Sequence, residues 1–116
     1  MPEGADTDPM LAYCLAKPGA WRDEPWEGDV VAKVADKIFA FVAPASLGVK
    51  CAPGRDEADE WLAEYPEDAT AMPYLARYGW NSLRRDGGIA DDVLREAIDA
   101  SYGQVVSKLP KSKRPG

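Results

Sequence analysis

The chain contains no histidine. That removes the side chain most often used as a general base near neutral pH, and with it the commonest metal ligand. Cysteine is scarce, present only at Cys14 and Cys51. One pair leaves a disulfide open but makes no disulfide framework, and a reducing compartment is the simpler reading. Long hydrophobic runs are also missing. The longest strongly apolar stretch, Ile38 to Ala43, falls far short of the ~20 residues that cross a bilayer, so no membrane partner is expected. The opening Met1-Pro-Glu-Gly-Ala-Asp6 is acidic and has no apolar h-region. No secretory signal is therefore expected, and the expected location is cytoplasmic.

Several chemical signatures are absent as well. There is no Gly-x-Gly-x-x-Gly and no Gly-x-x-x-x-Gly-Lys phosphate loop, so the usual nucleotide cradles are excluded. There is no Cys-x-x-Cys, which removes the common zinc and redox pairs. A serine nucleophile would need a base, and no histidine can supply one. Cys14 and Cys51 fall on apolar faces and read as buried structural thiols. The expectation is a non-enzymatic protein with no catalytic residues, no cofactor and no metal. The carboxylates Asp56, Glu57, Asp59 and Glu60, with Glu64, Glu67 and Asp68, could in principle hold Ca²⁺ or Mg²⁺. They lack a Gly-containing ligand loop and read as a solvated helix face whose first acids complement the helix dipole.

What is present is enough for one domain. The chain has 116 residues, 46% of them hydrophobic and 29% charged, with four Trp, five Tyr and two Phe to fill a core. That length suits one domain and is too short for two, so residues 1–116 are read as a single unit, with 1–7 and 110–116 flexible. A monomer is the simpler expectation. The net charge is −6 and the sequence pI is about 4.6, which argues against nucleic acid and anionic membranes. The total conceals blocks. Residues 56–68 carry seven acids and no base, whereas residues 108–116 carry four bases and no acid.

Asp8-Pro9 reads as a helix start, a capping carboxylate before a proline at the first helical position. Leu11, Cys14 and Leu15 share one face, and Pro18-Gly19 ends the helix. Residues 20–29 read as a loop or short edge strand. Val30 to Val34, Lys37 to Ala43 and Leu47 to Cys51 read as strands, with Ala35-Asp36 as a hairpin turn. Asp56 to Tyr65 is expected to be a helix with Ala58, Trp61, Leu62 and Tyr65 on its apolar stripe. Trp80 to Arg84 is expected to be a strand, and Asp91 to Leu109 the last helix. Trp61, Leu62, Leu94, Ile98, Val105, Leu47 and Val49 form the expected core. The order α-β-β-β-α-β-β-α predicts an α+β fold: a two-layer α/β sandwich with an antiparallel sheet and its helices on one face.

The basic blocks then matter. Lys33, Lys37 and Lys50 lie on or beside the strands, as do Arg77, Arg84 and Arg85. Phe39 and Phe41 are expected on one strand face with Lys37. With Trp80 they are candidate stacking residues for a nucleic acid. The bland alternative is that both phenylalanines are core and the lysines a solubilising surface.

Several pieces together resemble the MmcQ/YjbR family of small bacterial proteins. They are Lys17-Pro-Gly-Ala20, Asp23-Glu-Pro-Trp-Glu-Gly28, Lys33-Val34, Lys37-Ile-Phe-Ala40 and Val49-Lys-Cys51. Later come Tyr65-Pro66, Pro73-Tyr-Leu-Ala-Arg-Tyr-Gly-Trp-Asn81, Ala100-Ser-Tyr102 and Val105-Val106. The likeness spans roughly residues 10 to 110. Where the family often has a His and a Lys before the Trp, this chain has no His, and Arg77 stands near the Lys position. The resemblance implies a CyaY-like or secretion-chaperone-like fold. It also implies the double-wing DNA-binding label, in which β-hairpins act as wings.

The leading expectation is a non-enzymatic domain that contacts the phosphates of DNA, weakly and without base specificity. The contacts would come from Lys33, Lys37, Lys50, Arg77, Arg84, Arg85, Lys111, Lys113 and Arg114. A protein-interaction or chaperone-like module is the alternative, and a small-ligand or metal binder the third reading.

Overall fold

The computed structural model describes residues 8–115. Asp8 caps the first helix, α1 (Pro9–Leu15): its Oδ1 accepts hydrogen bonds from the backbone N–H of Met10 at 2.8 Å and of Leu11 at 3.3 Å. Four antiparallel strands follow: β1 (Ala20–Trp26), β2 (Asp29–Val34), β3 (Lys37–Val42) and β4 (Ser46–Lys50). The segment read as a loop or edge strand is thus a seven-residue edge strand. Helix α2 (Arg55–Glu64) leads to a three-residue strand, β5 (Ala69–Ala71), a 3₁₀ turn at Ala76–Tyr78, and β6 (Trp80–Arg84). Helix α3 (Asp91–Ser107) closes the fold. The sheet order is β1-β2-β3-β4-β6-β5, antiparallel throughout.

All three helices cover one face of this sheet. Leu94, Ala97, Ile98 and Ser101 make a buried stripe along α3 at the spacing of one helix face. They meet Phe39, Leu47, Val49 and Leu83 from the strands, and Met10, Leu11 and Cys14 from α1. Trp61, Leu62 and Val105, expected to be core, are half-buried at its margin. The basic segment expected to be flexible is placed as far as residue 115. It forms a 3₁₀ turn at Lys111–Lys113. Its Pro115 lies 3.0 Å from where a Cβ on Gly19 would sit, beside Val34. The expected flexibility of residues 1–7 and of Gly116 falls outside the described residues.

One irregularity decides which aromatic faces where. Ala32 pairs with Ala40 and Lys33 with Ile38, so Phe39 has no partner across the ladder. Such a bulge turns the chain and breaks the strict alternation of faces. Phe39 therefore points into the helix layer, wholly buried. The Tyr102 ring stands edge-on to it, 5.1 Å between centroids, and Ser101 Oγ donates to its carbonyl at 2.6 Å. Phe41 lies on the other face, beside Gly48 and against Trp80 at 5.8 Å. The expectation that Phe39 and Phe41 share a face is corrected by this bulge, and Phe39 is not placed to stack on a ligand. Trp80 is only 8% exposed.

Candidate anion-binding site

The expected basic residues divide into two groups according to what holds them. Lys33 Nζ donates to Asp23 at 3.0 Å and lies over the Trp21 ring. Arg84 faces Asp86 at 3.2 Å and Asp68 at 4.0 Å. Arg85 is a structural residue: its guanidinium grips both carboxylate oxygens of Asp8 at 2.7 and 2.8 Å and donates to Ala43 O. The pair is only 13% and 15% exposed. Burial pushes the Asp8 carboxyl up, but the Arg85 hydrogen bond, the two capping amides and the Arg85 charge together hold it below its ordinary value. Arg114 donates to the carbonyls of Leu109 and Ser107, satisfying groups that the end of α3 would otherwise leave open. For Lys33, Arg84, Arg85 and Arg114, the phosphate-binding expectation meets groups already engaged within the fold.

The second group gathers at one end of the molecule. Here the β2–β3 turn, the end of β4, the start of β6 and the end of α3 surround a cavity of about 320 Å³. Ile38, Trp80, Val105 and Leu109 make its apolar walls, and Lys37, Lys50 and Lys108 its charged rim. Among the described residues, the side chains of Lys37, Lys108, Lys111 and Lys113 make no ion pair or hydrogen bond. Arg77 stacks on Tyr78, its guanidinium 4.9 Å from the ring centroid, and Tyr78 lines the same cavity.

Lys50 is set rigidly in this rim. Its backbone N–H donates to Ser101 Oγ at 3.0 Å, and its carbonyl accepts from Gln104 Nε2 at 3.0 Å, so α3 grips both sides of the residue. Its ammonium donates to Tyr78 O and, at 3.5 Å, to Pro53 O. Burial first, and then the charge of Lys108, lower its pKa. Both causes mean that an anion placed here would stabilise the charged form. Gly79 fixes the Tyr78 carbonyl. Its φ is +91° and an added Cβ would sit 2.0 Å from Ala52 O, a position that only glycine fits. Gln104 contributes one more feature. Its Oε1 is buried and has no hydrogen-bond partner, an uncommon state for a buried acceptor.

A second cavity, about 330 Å³, lies between α2 and α3, lined by Glu60, Glu64 and Glu96 with Trp61, Tyr65 and Val93. Its charge is opposite to that of the basic rim. Cys14 and Cys51 are buried, and burial pushes both thiols up to about 12, far from the thiolate form that reacts. Sequence reasoning missed Lys108, Tyr78 and Gln104. The basic block after α3 pointed toward Lys108, but no local signal marked the other two.

A family model described as YjbR matches residues 15–104. The chain is 32% identical over 111 residues to the uncharacterised protein YjbR of Escherichia coli K12, covering 90% of this chain and 91% of that one. The figures are the same for the protein from E. coli O157:H7. The crystal structure of Deinococcus radiodurans protein DR2400, with the family-model domain DUF419, superposes with a TM-score of 0.80. The match covers 92% of this chain and 83% of that one at 21% identity. At that identity the likeness speaks for the fold. Among the described residues, no helix is long and apolar enough to cross a membrane.

Proposed function

The chain belongs to the YjbR family, and from that premise we propose that it is a non-enzymatic domain that binds nucleic acid through phosphates, using the basic end of α3. Family membership supplies a fold and leaves the activity to be read from the site. One observation carries the reading. The cations engaged by carboxylates, Lys33, Arg84 and Arg85, lie away from the cavity. Lys37, Lys108, Lys111 and Lys113, whose ammonium groups have no partner among the described residues, lie on it or on the turn that follows α3. Unpaired cations can neutralise phosphates without first breaking an internal ion pair. Arg77 and Tyr78, 46% exposed, add a face on which a base can stack.

This reading moves the contact surface from the open sheet face to the sheet's end. It also predicts weak binding, since the acids of α2 repel a polyanion approaching from elsewhere. Affinity for a short single strand should fall in the non-specific range, ~10⁻⁴–10⁻⁶ M, and weaken steeply with salt. The test is an anisotropy titration of labelled single-stranded and duplex DNA between low and moderate salt. The triple change Lys37→Gln, Lys111→Gln, Lys113→Gln should flatten the salt slope by ~2. Arg84→Gln should leave it unchanged. No binding at low salt would overturn the reading.

The alternative, a protein-interaction module, has one observation in its favour. Trp21 and Trp26, on the edge strand β1, are 43% and 57% exposed, and exposed aromatics on an edge are a common docking feature.

A further inference from the structure

We infer, resting on the phosphate reading above, that this same site selects single strands by seating one unpaired keto base, guanine or thymine, in the cavity of about 320 Å³, while the flanking phosphates lie on the lysines around its mouth. The phosphate reading alone makes no distinction among strands of equal charge.

Depth separates the two kinds of contact. Lys37, Lys108, Lys111 and Lys113 are exposed, and the first two stand on the rim. Ammonium groups in the open neutralise phosphates. Inside, Ile38, Trp80, Val105 and Leu109 make apolar walls, and Trp80 and Leu109 are buried. A phosphate pushed against such walls loses its water and gains nothing. A base gains, because its flat faces are apolar and stack on aromatic side chains. Tyr78, half exposed, lines the same cavity and offers such a face. The volume lies at the small end of ligand sites, ~300–1,000 Å³, which suits one base rather than a pair. A base inside a duplex is paired and stacked on both sides, so only an unpaired one can enter.

The polar side chains that line the cavity decide which base. Lys50 donates to the carbonyls of Tyr78 and Pro53, which leaves it a third N–H. The Tyr78 hydroxyl accepts from Arg77 at 2.8 Å, which leaves its own proton to donate. Gln104 is closed to a ligand: its Nε2 is committed to Lys50 O, and its Oε1 is buried. The side chains of the cavity therefore offer donors. Guanine brings two adjacent acceptors, O6 and N7, and thymine brings O4, whereas adenine and cytosine carry an amino donor in the corresponding place. An amino group set against an ammonium leaves both donors unsatisfied.

The test uses short labelled strands built from abasic residues with one base, or none, at the centre, so that every strand carries the same phosphates. Fluorescence anisotropy at low salt reads their affinity for the unaltered full chain. Strands with guanine or thymine should bind about tenfold more tightly than the wholly abasic strand, the scale of one stacked base. Adenine and cytosine should fall between. Lys50→Met should erase the difference between keto and amino bases. Val105→Trp, which fills the cavity, should bring every base down to the abasic level and leave the salt slope unchanged. The pair Lys111→Gln, Lys113→Gln should weaken all strands alike. The strand series needs no variant, so the inference stays testable if either cavity variant fails to fold. An abasic strand that binds as tightly as the base-bearing ones, with its salt dependence intact, would overturn the inference and leave the phosphate reading standing. Adenine or cytosine matching guanine and thymine would overturn it as well. Absence of binding by every strand at low salt would overturn both readings.

Discussion

Two cavities of nearly equal volume sit at opposite parts of α3, and they differ in how their charges are assembled. The acidic one, of about 330 Å³, takes Glu60 and Glu64 from one exposed helix and Glu96 from the start of the next. Glu60 and Glu64 are four residues apart, so they share a face by the helical repeat alone. The basic one, of about 320 Å³, takes Lys37, Lys50, Tyr78 and the Gln104–Lys108 end of α3 from four separated segments. Two long-range hydrogen bonds lock it together: the Lys50 N–H donates to Ser101 Oγ, and Gln104 Nε2 donates to the Lys50 carbonyl. A run of like charge on a helix is a solvated surface unless something converges on it. Charge brought together against desolvation, as at Lys50, carries a cost that binding an anion relieves.

The largest expected effect tests whether one rigid α3 joins the two regions. Ile98 is wholly buried at the middle of that helix, and Ile98→Ala should cost ~2–5 kcal/mol in a urea melt while disturbing both cavities. A loss under about 1 kcal/mol, well below that range, would mean that the two ends are not mechanically tied.

Arg85 and Arg84 sharpen the distinction between engaged and available cations. Removing Arg85 strands Asp8 at the cap of α1, and Arg85→Ala should cost about 3 kcal/mol, the low end for breaking a buried pair. Arg84 is 57% exposed, and Arg84→Ala should cost below about 1 kcal/mol. The pH dependence has a definite sign. The folded Asp8 carboxyl lies below its ordinary 3.8. The stability it confers is therefore present above that pH and is lost as pH falls through the lowered folded value. Melts between pH 5 and 2 should show this loss in the wild type and a shallower one in Arg85→Ala. Identical acid limbs would remove Asp8 as the cause.

Gly79→Ala probes the frame of the basic cavity. Its left-handed backbone and the nearby Ala52 carbonyl should make the change cost ~1–3 kcal/mol. It should also displace the Tyr78 carbonyl that holds Lys50. Anion affinity should then fall alongside stability, measured on the same sample. At the other cavity, the triple change Glu60→Gln, Glu64→Gln, Glu96→Gln should move stability by less than ~0.5 kcal/mol, as for surface changes, and leave DNA binding unweakened. Loss of binding on removing these acids would invert the comparison.

The sequence shows one of these regions far better than the other. The helix cap at Asp8-Pro9, the strand Trp80–Arg84, the α+β class and the family were legible, because caps, β-branched runs and acid stripes are local signals. The acidic face of α2 was legible for the same reason. Residues 20–29 stayed ambiguous because Pro25 and a register shift interrupt the strand pattern between Asp23 and Trp26. The bulge at Phe39 was invisible, since alternation assigned Phe39 and Phe41 to one face and only the pairing of Ala32 and Lys33 separates them. Arg85 read as a free cation because its partner, Asp8, is 77 residues away. Gln104 and Tyr78 carried no local mark at all. Their importance arises where α3 crosses the end of β4, a contact that no window of sequence contains.

The central claim is that the anion-binding surface is the basic end of α3. The most direct measurement is a chemical-shift map of the isotope-labelled chain titrated with a short single-stranded oligonucleotide at low salt. The account predicts that perturbed amides cluster at Lys37, Lys50, Tyr78 and residues 108–113, and that the shifts collapse as salt rises. Shifts centred on Lys33, Arg84 or the α2–α3 groove, or no shifts at all, would contradict it.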